Sequence, residues 1–305
     1  MRSGHRQVRP LPVVLPPLAD ELLSSWIDRH AAFVGVSGLR LLRHYHIEVK
    51  SVRDLDLKLA RRDVGALAEV LRCSPHLIRN MTQSHDGRVH SRLVAITRPL
   101  HICWLCARRH NAHPVTRGAR LRSWMEGWRV DCPICGTALE DFRLYTRLFR
   151  ADPTDALLVS IQSSARDGER IMDRAFRRRG TGSAHSVLMR SLLLPQAPRP
   201  RMAVTTAQKP RVLDLVVPGT DDFLRRLQPE NWLWSPRLLP LSVRIPVLAG
   251  VACVSSLPER WIDKLVGAVA PPHQASLLHC FQALLSSDHT GPPPRIPPYS
   301  QILRQ

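Results

Sequence analysis

Two cysteine pairs carry the most specific chemistry in this 305-residue chain: Cys103-Trp-Leu-Cys106 and Cys132-Pro-Ile-Cys135, with 25 residues between them. Each CxxC turn aims two sulfurs at one point, and two such knuckles fill the four positions of a tetrahedral thiolate site. The expected cofactor is a single Zn2+ held by Cys103, Cys106, Cys132 and Cys135. All four ligands come from the protein, which leaves no position for water or substrate, so the ion is expected to build structure. Sites of this kind bind with roughly 10–16 kcal/mol, enough to fold a module with little core of its own. The competing reading is a disulfide pair or four unrelated thiols. The other cysteines, Cys73, Cys253 and Cys280, are scattered and odd in number, which is the usage of a reducing, cytoplasmic compartment.

A catalytic constellation is harder to find. Asp54, Asp56, Asp131, Glu140, Asp141, Asp221 and Asp222 could supply a carboxylate trio for two-metal phosphoryl transfer, but each pair reads as turn or helix-end chemistry. The chain has no GxxxxGK[ST] phosphate loop, no GxSxG and no HExxH. His101, His110 and His113 decorate the cysteine region, with His110 or His113 as substitute ligands. The expectation is a protein with no catalytic residues, hence not an enzyme.

The charge balance points to a polyanionic partner. Lysine and arginine total 44 against 25 acidic residues, a formal net charge of +19. Only Lys50, Lys58, Lys209 and Lys264 are lysines. Arginine forks phosphate bidentately and stacks on bases, so DNA is the simplest partner, although an arginine-rich proteome would also explain the scarcity of lysine. No stretch approaches the ~20 apolar residues of a membrane span. The first residues, MRSGHRQVRPLPVVLPP, have no apolar segment adequate for a secretory signal.

The elements that must position these groups are mainly helical. Leu22, Leu23, Trp26, Ile27, His30 and Phe33 share one helical face, with Asp20 and Glu21 at the end where a helix favours negative charge. A second run includes Leu39, Leu42 and Tyr45. A helix over about 64–71, a three-residue turn and a second helix opened by Ser74 and Pro75 resemble a helix-turn-helix, with small Ala68 facing Ile78. On that reading Arg72, His76, Arg79, Asn80 and Gln83 are the candidate DNA contacts, and Arg72 stands where such turns usually place glycine. A helical hairpin in the core with a solvated polar face remains the alternative.

Between the knuckles, Leu121, Trp124, Met125 and Trp128 have the spacing of a short helix packed on the metal module. Further on come an apolar run over 156–161, a mixed-charge helical stretch over 166–179, and helical periodicity over 261–269 and 276–285. The resulting architecture is mainly α with a small zinc-ribbon module. Its parts are an N-terminal helical, helix-turn-helix-like region (1–100), a zinc-ribbon module (101–145), a helical segment (146–194), a Pro/Arg-rich linker (195–211), a C-terminal helical region containing Trp232, Trp234 and Trp261 (212–290) and a Pro-rich tail (291–305).

Leu15-Pro16 leading into Glu21-Leu22-Leu23-Ser24-Ser25-Trp26, followed by two knuckles with Trp124 between them, resembles the TniQ/TnsD family of transposon target-selection proteins over residues 10–142. In that family the second knuckle commonly reads CPxH, so Cys135 stands where histidine would, and a zinc ligand is preserved. The resemblance implies a non-catalytic protein that selects a target, on DNA or through an RNA-guided complex, and recruits a transposon AAA+ ATPase that engages the transposase. A homodimer is compatible with this role. The competing function is a stand-alone zinc-containing transcription regulator, which would read a compact operator without an ATPase partner.

Overall fold

A computed structural model describes residues 9–83, 93–94, 99, 101–142, 152, 154–177, 182–197, 209–227 and 239–286. The chain divides into two compact units: residues 1–126 with 132–140, and residues 127–131 with 141–305.

The first unit contains α1 (Leu23–Phe33), α2 (Gly38–His44), α3 (Asp54–Lys58), α4 (Arg61–Val70), α5 (Pro75–Asn80) and α6 (Trp104–Ala112). Its core is built from Trp26, Ile27, Leu42, Ile47, Leu55, Leu67, Leu71 and Ile78. The expected face of α1 is buried except for Phe33, which sits in the last turn and is 54% exposed. Asp20 and Glu21 lie before the helix and act through specific hydrogen bonds rather than as diffuse end charges.

Those bonds explain why Leu15-Pro16 and the α1 sequence belong together. Trp26 Nε1 donates to the Leu15 carbonyl at 2.8 Å, and the Leu15 N–H donates to His30 Nε2 at 2.9 Å. Arg29 donates to the Pro16 carbonyl at 2.9 Å. An extended, proline-rich strand cannot satisfy its own backbone, so side chains of α1 satisfy it instead. His30 Nδ1 pairs with the Trp26 carbonyl at 2.8 Å, so the ring is neutral, with its proton on Nδ1. Burial lowers its pKa in keeping with that tautomer.

Three helices of this unit end in the same left-handed turn. After α1 the N–H groups of Gly35 and Val36 bond to the carbonyls of Ala32 and Ala31; after α2, His46 and Ile47 bond to Arg43 and Leu42; after α4, Arg72 and Cys73 bond to Glu69 and Ala68. The left-handed residues have φ of 71° at Gly35, 57° at His46 and 47° at Arg72. This is the Schellman pattern, which satisfies carbonyls the helix end would otherwise orphan.

The second unit contains α7 (Ala156–Arg177), α8 (Gly182–Leu192), α9 (Leu213–Val216), α10 (Thr220–Leu227), α11 (Leu241–Ser256), α12 (Pro258–Ala268) and α13 (Pro271–Leu285). The apolar run and the mixed-charge stretch read separately in the sequence are one helix of 22 residues, α7. Helix α11 is apolar on nearly every side and packs against α7, α8, α9 and α12. Its approach to α7 is close: a Cβ built on Gly168 would overlap the Leu248 carbonyl oxygen and reach 3.1 Å from the Leu248 Cα. Only glycine permits that separation.

The segment 127–131 belongs to this second unit, which corrects the place expected for Trp128. The single turn over Arg122–Met125 is a 3-10 helix that ends before it. Trp128 Nε1 donates to Asp173 at 2.9 Å, and its ring centroid lies 4.3 Å from that of Phe176. Arg129 pairs with Glu169 at 3.1 Å and with Asp173, while the fully buried Arg244 donates to the carbonyls of Arg129 and Leu239. Desolvation lowers the Arg244 pKa to about 10, opposed by Asp141 and Glu169. The described helices include none long and apolar enough to cross a membrane. Most of the linker expected over 195–211, Trp232 and Trp234, and the tail from 291 lie outside the described residues.

Candidate metal centre and the adjoining helix pair

The first knuckle is the start of α6. Cys103 is its N-cap, and the Cys106 N–H points at Cys103 Sγ across 3.5 Å. Placing a ligand at a helix N-terminus holds its sulfur beside the N–H groups of the first turn. The second knuckle is a turn closed by backbone bonds from Gly136 N to the Cys132 carbonyl and from Cys132 N to the Thr137 carbonyl, each 2.8 Å. Gly136 takes φ of 70° there, which a side chain would resist. Strands His101–Ile102 (β1) and Glu140–Asp141 (β2) pair into a two-stranded sheet flanking the knuckles.

The four sulfurs converge. Cys103 and Cys135 are 3.4 Å apart, Cys106 and Cys132 3.7 Å, Cys106 and Cys135 3.8 Å, and all four lie within 4.8 Å of one another. A tetrahedron with ~2.3 Å metal–sulfur bonds has edges of about 3.8 Å, so the donor set fits one ion. A disulfide needs about 2.05 Å, so these contacts are not disulfides. All four cysteines are free thiols in covalent terms. Such a site could hold a metal ion and is compatible with zinc. Its surroundings are asymmetric. Burial pushes the Cys132 thiol up to about 11 and drives Cys106 higher still. The hydroxyl and N–H of Thr137, its hydroxyl 3.3 Å from Cys135 Sγ, bring Cys135 down to about 6.

The histidines are not ligands in this arrangement. The metal-competent group contains cysteines alone, and neither His110 nor His113 belongs to it. Buried His101 directs Nε2 to the Ser123 carbonyl at 2.9 Å, a strut between β1 and the 3-10 turn. Leu121, Trp124 and Met125 are buried, so Trp124 is core and not a stacking platform.

The 3-10 turn is anchored from a distance in sequence. Asp20 accepts from the Ser123 N–H at 3.0 Å and from Arg122 Nε at 3.2 Å, and the Arg122 N–H donates to the Asp20 carbonyl at 2.7 Å. Glu21 accepts from Arg29 Nε and Nη2 at 2.7 and 2.6 Å, and Arg29 Nη1 reaches the Val115 carbonyl at 2.8 Å. These clamps hold α1 against the stretch between the knuckles. The sequence shows Asp20 and Glu21 only as acids before a helix; nothing local distinguishes them from end charges.

The helix pair beside this centre is α4 and α5. Ser74 caps α5 by accepting from the Leu77 N–H at 3.1 Å, with Pro75 as its first residue. Ala68 and Ile78 are buried between the helices. Arg72, His76, Arg79 and Asn80 are exposed, and Asn80 Nδ2 lies 2.9 Å from His76 Nε2. Gln83 is half-buried and donates from Nε2 to the Arg122 carbonyl at 3.1 Å. Helix α5 is short, at six residues.

The TniQ family model matches residues 12–152, a stretch that takes in α1 to α6 and both knuckles. TniQ domains are transposition-associated and generally non-catalytic. Neither the curated proteins nor the solved structures give a match.

Proposed function

We propose, from the match of residues 12–152 to the TniQ family model, that the protein is a transposition adaptor that selects a target site and recruits a transposon AAA+ ATPase and, through it, the transposase. The domain match is the observation that carries this reading. The protein acts without catalysis of its own, at the level of DNA or of a targeting complex that includes a guide RNA.

Zinc is the proposed ion at the four cysteines. Bound there, it supplies cross-linking rather than Lewis-acid chemistry, because four protein thiolates complete its coordination. The residues around it do the positioning: Asp20 and Glu21 fix the intervening stretch, and Thr137 supports the one sulfur that is half-exposed. On the adjoining pair, Arg79, Asn80 and His76 are the proposed groove contacts, with Arg72 on phosphate. Gln83 is better placed to brace α5 against Arg122 than to read a base.

The test is capture of a transposon AAA+ ATPase by the zinc-loaded protein, with and without duplex DNA at physiological salt. Capture that strengthens with DNA supports the adaptor. Tight binding to one palindromic operator with no ATPase capture overturns it in favour of a regulator. Arg79→Ala and Asn80→Ala should each weaken selective binding by about 1–3 kcal/mol for every base the side chain reads. Equal weakening on every sequence assigns those residues to the backbone instead.

A further inference from the structure

Helix α7 segregates its charges by sign. Its carboxylates turn inward or sideways: Glu169 accepts from Arg129 and from the N–H groups of Val130 and Asp131, and Asp173 accepts from Trp128 and Arg129. Among the described side chains, the exposed positions from 159 onward are Val159, Gln162, Ser163, Arg166, Arg170 and Arg174, with no acid among them. The three arginines recur every four residues, so they form one row along the helix at an axial interval of about 6 Å.

We infer that this outer row of α7, in the second unit, is a binding surface for the phosphate backbone of duplex DNA. The inference goes beyond target reading by the helix pair, since it concerns a different part of the chain and sequence-independent affinity. Two of the arginines have surface partners: Arg166 with Asp131 at 2.7 Å and Arg170 with Asp167 at 3.2 Å. Exposed pairs of this kind contribute only ~0–1 kcal/mol, so phosphate can replace the carboxylate. Duplex DNA is favoured over a folded protein because the row offers three evenly spaced cations over about 12 Å of one helix face, suited to the regular ladder of phosphates along a duplex strand. Protein interfaces instead centre on clustered apolar or aromatic anchors, and Val159 is the one large apolar group on this row.

The experiment is fluorescence anisotropy of the full, zinc-loaded chain on a mixed-sequence duplex of about 30 base pairs, over about 50–200 mM salt. The variant is Arg166→Gln with Arg170→Gln and Arg174→Gln, checked by circular dichroism and melting. Each neutralised phosphate contributes about 0.9 to the slope of log affinity against log salt. Removing all three cations should make the slope shallower by up to ~2.7. The native chain should then lose up to ~40-fold more affinity than the variant across that salt range. If the triple variant misfolds, Arg174→Gln alone leaves the Asp131 and Asp167 pairs intact and should lower the slope by up to ~0.9. Unchanged slope and affinity in folded variants overturn the inference, as does a loss seen only on single-stranded RNA. The ATPase is absent and α5 is the same in native chain and variant, so the difference in slope stands or falls separately from the target-selection reading.

Discussion

Glu21→Gln is the most searching perturbation of the first unit. The Glu21 side chain is fully buried and that of Arg29 is 3% exposed, with the closest charged atoms 2.6 Å apart. Glu21 also accepts from Ser25 Oγ at 2.9 Å and the Leu18 N–H at 3.0 Å. Glutamine keeps one acceptor oxygen but removes the charge, leaving a guanidinium in a site too dry to solvate it. Breaking a buried pair from one side costs roughly 3–5 kcal/mol. The retained carbonyl puts the expected loss near the lower end, about 3 kcal/mol. Removing both charges, with Arg29→Met added, abolishes the stranded cation but orphans the Pro16 and Val115 carbonyls. The double variant should therefore be less stable than the native chain, yet more stable than the two single substitutions together predict, by about 2–3 kcal/mol of coupling. The assay is equilibrium urea unfolding of the zinc-loaded chain, followed by tryptophan fluorescence. Asp63→Asn is the control, because its Arg62 partner is 87% exposed at 3.6 Å and exposed pairs contribute ~0–1 kcal/mol. A Glu21→Gln loss below about 1 kcal/mol, or strict additivity in the cycle, refutes the argument that burial gives this pair its value.

Other consequences follow from single residues. Cys132→Ser replaces a buried ligand; metal analysis should fall from one zinc per chain to none, with a red shift from Trp124, and retained stoichiometry would count against the four-sulfur site. Burial raises Asp56 from 3.8 to about 6 while its carboxylate accepts from the Ser24 N–H at 2.9 Å. An acid with a raised folded pKa binds its proton more tightly when folded, so its contribution to stability falls as pH rises between those two values. The fall is up to ~3 kcal/mol and levels off above the folded pKa. Asp56→Asn keeps the acceptor oxygen and should remove that decline in urea midpoints measured across pH 4 to pH 7.5; an identical slope in both proteins contradicts it. Gly168→Ala would ordinarily stabilise a helix by about 1 kcal/mol. Here it should destabilise by about 1–3 kcal/mol or more, because its Cβ would strike the Leu248 backbone, and a raised melting temperature would disprove the close α7–α11 approach.

What the amino-acid order determined by itself is local. Two CxxC spacings imply a four-sulfur centre because knuckle geometry is set within four residues, and the sulfurs do converge within 4.8 Å. Ser74-Pro75 announces the start of α5 because capping needs only a side chain and the next few N–H groups. The left-handed turn after α4 falls on Arg72, where a helix-turn-helix usually has glycine, whereas the matching turn at His46 is invisible, since histidine does not ask for that conformation. Tertiary structure decided the rest. Asp20 meets Ser123 across 103 positions, and Arg244 meets Arg129 across 115. Trp128, spaced as if on the turn with Trp124, packs instead with α7. Desolvation is the common cause: a buried charge or N–H must find a partner wherever the fold brings one, and no short-range pattern in the chain encodes which one that is.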